Sequence, residues 1–143
     1  GIDHSNVIDQ GRGNEDWVLL LPENADRSSE KLRLIIKNLT GKNIGILIID
    51  SHGRAWRNGV VGITIGIAGL PGLIDSRGET DLFGFKLRVT TIGAADELAA
   101  AASLIMGQAA EGTPVVHVRG YPYPLRDATL KELLRSRDQD LFR

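Results

Sequence analysis

A chain of 143 residues and 15.5 kDa is one ordinary domain in size, and 42% hydrophobic with 24% charged is an ordinary globular mixture, which excludes a disordered tail or a fibre. Its 17 basic residues stand against 18 acidic ones for a net charge of −1 with no long run of either sign, so neither nucleic acid nor an anionic membrane surface is the default partner. With no cysteine there is no disulfide, thiolate metal site or thiol nucleophile; any metal must sit on oxygen or imidazole, and the chain fits a cytoplasmic protein.

No stretch approaches the roughly 18 to 20 apolar residues of a membrane span, and the start GIDHSNVIDQ lacks a basic-then-apolar signal pattern, so the chain reads as soluble. It opens with Gly1 and its one methionine is Met106, which reads as a processed, trimmed or partial protein.

Trp17 to Leu21 is a short apolar run closed by Pro22-Glu23-Asn24, the pattern of a buried strand entering a turn. A helix should follow, capped by Ser28, with Leu32, Leu34, Ile35, Ile36 and Leu39 as its apolar face and Gly41 as a left-handed C-terminal stop. Ile44 to Ile49 predicts a second buried strand ending at Asp50-Ser51-His52-Gly53. From Val60 to Gly69 the sequence alternates, with Val61, Ile63, Ile65 and Ile67 on one face and Gly62, Thr64, Gly66 and Ala68 on the other. A bare strand face admits a helix, a backbone or a ligand at close range, and close helix packing is the commoner reason.

Pro71 to Gly84 reads as a loop and Lys86 to Ile92 as a further strand. A long helix comes next, with Asp96-Glu97 complementing its dipole and an Ala-rich run from Leu98 through Met106. Gly107 to Pro114 breaks it, Val115 to Val118 predicts a strand, Arg119 to Pro124 a rigid connector, and Asp127 a cap for a last helix over Ala128 to Arg135. The interleaved elements predict an α+β fold: a mixed or antiparallel sheet covered by helices.

Three segments hold residues suited to chemistry. Asp3 with Ser5 and Asn6 gathers oxygen and amide groups that can hold a hard divalent cation beside a phosphate, although Asx-turn chemistry accounts for the same residues. Asp50-Ser51 pairs a carboxylate with a hydroxyl, the pattern of a magnesium ligand pair. Arg54 and Arg57 flank Trp56 and are candidates for clamping a carboxylate or phosphate; a loop with surface arginines explains them equally. Met106-Gly107-Gln108-Ala109-Ala110-Glu111-Gly112-Thr113 is a helix end running into a glycine-bounded loop whose amides could cradle phosphate, with Gln108 or Glu111 in reach of a metal, or it is a plain helix stop. His4 and His52 lack a second histidine to make a metal pair, and His117 alternates into the predicted strand. No Walker-type loop, dinucleotide fingerprint or nucleophile elbow occurs.

In order along the chain, GIDHSNV, DSHGRAWRNGVVGITIGIAGLPGLIDSRG, DLFGFKLRVT, ADELAAAASLIMGQAAEGTPVVHVRG and RDQDLFR together resemble the coenzyme F-420-0:L-glutamate ligases, the gamma-glutamyl ligases of deazaflavin biosynthesis. The similarity covers essentially all of the chain but only the C-terminal part of such a ligase. The resemblance implies GTP-dependent addition of L-glutamate to the deazaflavin precursor, with Mg2+ or Mn2+ at the nucleotide phosphates. It implies metal ligation by Asp3 and Asp50, by Ser51 where the family commonly has threonine, and by Gln108. It implies nucleotide contacts by Asn6 and by the loop Met106, Gly107, Gln108, Ala109, Ala110, Glu111, Gly112 and Thr113. No residue is expected to act as a nucleophile; Arg54 and Arg57 are substrate candidates from chemistry alone. Family members assemble as intertwined dimers, so a homodimer or a complementary N-terminal chain is the expected partner. A non-catalytic metal- and nucleotide-binding or assembly module of the same descent is the alternative, and another amide-forming or phosphoryl-transfer enzyme on the same scaffold a third.

Overall fold

The computed structural model describes residues 2–3, in backbone only, and residues 18–140. Its centre is a β-hairpin, and the reason lies in the glycine-spaced sequence of its second arm. Strands β1 (Ile2–Asp3) and β2 (Leu19–Leu20) pair antiparallel; helix α1 (Ala25–Thr40) follows. Strands β3 (Ile46–Arg54) and β4 (Arg57–Ala68) form the hairpin, β5 (Ile74–Asp75) pairs antiparallel with β6 (Thr91–Ile92), and α2 (Ala94–Met106) follows directly. The chain then runs without strand or α-helix to two single 3-10 turns, Leu130–Glu132 and Arg137–Gln139. The described residues thus make an α+β fold of two-stranded antiparallel sheets and two α-helices. No described helix is long and apolar enough to cross a membrane.

Both helices seat on β4 where it carries no side chain. A Cβ on Gly66 would lie 2.5 Å from the Ala25 backbone at the start of α1, and one on Gly62 would lie 2.6 Å from Ser103 Cβ and 2.8 Å from the Ala99 carbonyl oxygen of α2. The bare face of the alternating segment is therefore the helix-packing face.

Two carboxylates complete the clamp. Asp26, in the first turn of α1, accepts from Ile67 N at 2.8 Å and from Leu130 N at 3.0 Å. Asp96, in the first turn of α2, accepts from Thr64 N at 2.9 Å. These two amides flank a register shift: Ile49 pairs with Thr64 but Ile48 with Gly66, so Ile65 is an extra residue. A bulge leaves the ladder locally disrupted, and the helix carboxylates take the strand amides on either side of it. The apolar centre is Ile67, Leu70 and Ala95, with Leu47, Leu98, Tyr121, Ala128 and Leu133 packed against it.

Several expectations need correction. Asn24, not Ser28, caps α1: its side chain accepts from Arg27 N at 2.8 Å, and Ser28 sits in the first turn. Gly41 does end the helix in the left-handed conformation, at φ 69°. The expected apolar face of α1 is not buried: Leu32, Leu34, Ile35 and Leu39 are exposed, because the helix seats through Ala25 and Ser29, and Arg33 Nε reaches across to the Ile44 carbonyl. The strand read as ending at Asp50 continues to Arg54 and turns at Ala55-Trp56 into β4. The run before Pro22 is an exposed two-residue strand, and Trp17 lies outside the described residues. Of Lys86 to Ile92, Thr91–Ile92 is a strand and Lys86 makes an isolated bridge to Thr80. Val115 to Val118 is not a strand, and in place of the last helix there is a 3-10 turn preceded by Thr129.

Candidate functional site

The cleft that matters lies where β3 leaves the helix-covered part of the hairpin and α2 ends. It has a volume of about 160 Å³ and is lined by Ile49, Asp50, Ser51, Gly62, Ser103, Met106, Gly107 and Gln108. Residues from two distant segments, Asp50-Ser51 and Met106-Gly107-Gln108, meet here because the missing side chain of Gly62 lets α2 lie against β4, directly beside the β3 residues opposite.

Within the cleft, Asp50 Oδ1 accepts from Ser51 N at 2.8 Å, which fixes the carboxylate beside the hydroxyl. Gly107 takes a left-handed φ of 73° and donates to the Ser103 carbonyl at 3.0 Å, closing the helix. Gln108 Nε2 donates to Ser103 Oγ at 3.1 Å, so its amide oxygen remains for another partner. The last turn of α2 carries no basic residue to offset the negative end of its dipole. Carboxylate, hydroxyl and amide oxygen beside a helix C-terminus are an all-oxygen donor set of the kind that suits a hard divalent cation. The donors thus fit Mg2+ or Mn2+ in kind. The described residues supply one carboxylate to the cleft, and among them no group of three or more His, Cys, Asp or Glu side chains gathers.

The loop after α2 already holds an anion. Glu111 Oε2 accepts from Ala109 N at 2.8 Å, and that amide keeps the Glu111 carboxyl below its ordinary range. Gly107 admits this, since a Cβ there would collide with the Glu111 carboxyl group. Thr113 Oγ1 donates to the Glu111 carbonyl at 3.3 Å. A loop amide that accepts a carboxylate oxygen offers the same hydrogen bond to a phosphate oxygen. Of Met106 to Thr113, the first three residues line the cleft, and Ala109, Ala110, Glu111, Gly112 and Thr113 continue beyond it.

Arg54 and Arg57 are not among the lining residues. They face each other across the exposed hairpin end, and Arg54 Nη2 donates to the Asn58 carbonyl at 3.4 Å. Trp56 is 88% exposed between them. His52 and His117 are exposed. Asp3 pairs through its backbone with Leu19, its side chain is outside what is described, and Asn6, His4 and Ser5 lie outside the described residues altogether. Sequence reasoning missed Ser103, which holds Gln108, and the place of Gly62 in the cleft wall. The bare strand face was the available signal for Gly62; for Ser103 there was none. One strongly shifted carboxyl is unrelated to the cleft: Asp75, lowered to about 2 by hydrogen bonds from Arg77, is the exposed last residue of β5.

Residues 1–120 match the family model described as F420-0:Gamma-glutamyl ligase. The chain is 47% identical over all of its 143 residues to a protein of Methanococcus maripaludis (strain C7) named coenzyme F420:L-glutamate ligase, covering 55% of that protein. It is 45% identical to the protein of the same name from Methanocaldococcus jannaschii, again over 100% of this chain and 55% of the relative. With that of Methanothermobacter thermautotrophicus it shares 48% over 145 residues, 100% of this chain and 55% of the relative. The chain spans about half the length of these curated relatives. On the family match over residues 1–120, this chain belongs to the F420-0:gamma-glutamyl ligase family.

Proposed function

We propose that this chain is the metal- and nucleotide-binding part of a coenzyme F420:L-glutamate ligase, which joins a carboxylate of the deazaflavin precursor to the amine of L-glutamate at the expense of GTP. The observation that carries this reading is the meeting of Asp50 and Ser51 with Met106, Gly107 and Gln108 in one cleft.

A carboxylate is a poor electrophile, so amide formation needs it activated. Its oxygen attacks the γ-phosphorus of GTP, the bond to GDP breaks, and the amine nitrogen of glutamate then displaces phosphate from the acyl carbon and loses its proton to solvent. Mg2+ or Mn2+, when bound, supplies charge neutralisation on the transferring phosphoryl oxygens. Asp50, Ser51 and the amide oxygen of Gln108 would hold it, with Asp3 as the expected second carboxylate. Asp50 in this role organises charge and forms no covalent bond.

The loop amides from Gly107 to Thr113 would take nucleotide phosphate oxygens, as Ala109 N takes Glu111, and Asn6 would contact the nucleotide. Arg54 and Arg57 lie farther out on the same hairpin, about 10 Å along the strand from Ser51 at roughly 3.3 Å per residue. From there they would meet the carboxylates of a long substrate reaching out of the cleft, so Arg57→Ala should raise KM for glutamate or the deazaflavin at unchanged kcat.

The test supplies deazaflavin precursor, L-glutamate, GTP and Mn2+ to this chain, alone and with a polypeptide covering the part of the relatives that it does not span. Glutamylated product is followed by mass spectrometry. Product in the assembled mixture is expected, with Asp50→Asn lowering kcat at least about a hundredfold. An assembled, folded complex that binds Mn2+ and GDP but makes no product would identify a binding or assembly module instead.

A further inference from the structure

The stretch between α2 and the 3-10 turns contains a segment suited to sheet pairing that pairs with none of the described strands. Among the described residues, no backbone N–H or carbonyl from Gln108 to Ala128 bonds to another backbone group. Backbone groups in folded proteins are nearly all paired, and a structureless run this long inside a domain is uncommon. Yet Pro114-Val115-Val116-His117-Val118-Arg119 is rich in the β-branched residues that suit strands. Val115 is 80% exposed and Val118 41%.

Beside this stretch lies a mostly apolar cavity of about 320 Å³. Leu47 and Ile49 of β3, Leu98 and Ala102 of α2, and Val116 and Val118 form its walls. Native interiors are close-packed with few voids larger than a water molecule, so a cavity of this size and lining is a place for side chains. The relatives carry this region within a polypeptide nearly twice as long.

We propose that residues 114–119 are an edge strand awaiting a strand from a complementary polypeptide, whose alternate apolar side chains fill the cavity between β3, α2 and Val116–Val118. The occupant is the portion of the relatives' length that this chain does not span, whether supplied on the same polypeptide or on another. This deepens the proposed ligase reading by placing its missing partner. It does not depend on the chemistry, because pairing and packing are read without turnover.

The experiment mixes this chain with a separately made polypeptide covering the unspanned region of the Methanothermobacter thermautotrophicus relative. It follows association by light scattering and backbone amide exchange over residues 113–120 by mass spectrometry. Exchange should be fast in the chain alone and slow in the complex. Neighbouring strand amides point to opposite edges, so His117→Pro and Val118→Pro are both made. At least one should weaken association about tenfold or more, while neither lowers the melting temperature of the lone chain, whose residues here have no ladder to lose. Ala102→Phe, which fills the cavity from α2, should leave the chain folded and also block association.

Failure to associate, association without slowed exchange at 113–120, or proline variants that associate normally would each overturn the proposal. So would a lone chain that dimerises with these amides already protected, since the occupant would then be a second copy. An assembled complex with the expected protection but no glutamylation would count against the ligase reading and leave this inference standing.

Discussion

The β3–β4 hairpin has a clamped end and a free end, and the two differ more in what surrounds them than in what they are made of. At the clamped end, Ile46–Asp50 pairs with residues 63–68 beneath both helices, with Gly62 and Gly66 touching helix backbone or side chain within 2.6 Å of where a Cβ would be and Asp26 and Asp96 holding the amides beside the bulge. At the free end, Ser51–Arg54 and residues 57–60 are exposed and Gly53 has nothing within 4 Å of its Cβ position. The candidate cleft sits at the border, with Asp50 half-buried and Ser51 exposed. A site placed there has rigid support on one side and open access on the other, which is the arrangement positioned chemistry needs.

The sharpest way to break this comparison uses its glycines. Gly66→Ala must push α1 off the strand and should cost about 3 kcal/mol, whereas Gly53→Ala should change stability by less than about 0.5 kcal/mol. Urea denaturation of both variants checks it; similar losses at the two positions would mean that the helices do not clamp the hairpin as described. Next in size is Asp26→Ala. It leaves the amides of Ile67 and Leu130 without their acceptor and should cost about 2 kcal/mol, with Asp26→Asn recovering part of the loss because its amide oxygen can still accept.

Much of the clamped end was legible beforehand. The alternation from Val60 to Gly69 announced a strand, its bare face announced a close neighbour, and Gly41 and the Ala-rich run placed the ends of both helices. What could not be read was pairing. Nothing in His52-Gly53-Arg54 says that it ladders with Arg57–Val60, because a two-residue turn at Ala55-Trp56 lacks the usual Asn-Gly or Asp-Gly signal. Asp50 therefore looked like a residue at a strand's exit when it lies within the arm. Conversely, Val115–Val118 has strand chemistry and no strand, since strand propensity is realised only where an edge is available. The site was legible as two separate segments. That they meet depends on Gly62 and Ser103, whose contact is tertiary.

A smaller effect should appear with pH, at the clamped end only. Glu132 accepts from Gly72 N and Leu73 N just beyond β4 and pairs with Arg126 at 2.6 Å. The Arg126 guanidinium, helped by those amides and opposed by partial burial, holds its carboxyl below the ordinary value of 4.5. A depressed folded pKa means that the contribution is complete above about pH 4.5 and is lost as pH falls through the lower folded value. Stability measured from pH 6 to pH 3 should therefore decline less steeply below about pH 4.5 in Glu132→Gln than in the wild type. Identical slopes would show that this link carries no part of the acid sensitivity.

The smallest effect belongs to the free end. Trp56 is the only described non-glycine residue at positive φ, 57°, and it is 88% exposed. Holding a bulky L-residue in the left-handed region costs about 1 to 2 kcal/mol, and glycine there removes that strain while losing about 0.5 to 1 kcal/mol of chain entropy on folding. The balance of about 0 to 1.5 kcal/mol, less what the indole's own contacts contribute, predicts that Trp56→Gly raises stability by up to about 1 kcal/mol. It should appear as a higher urea midpoint at nearly unchanged slope, because a side chain 88% exposed adds little to the surface that unfolding uncovers. A lower midpoint would mean that the indole holds the tip in place through its contacts, and the end of the hairpin would then be braced from its own residues instead of free.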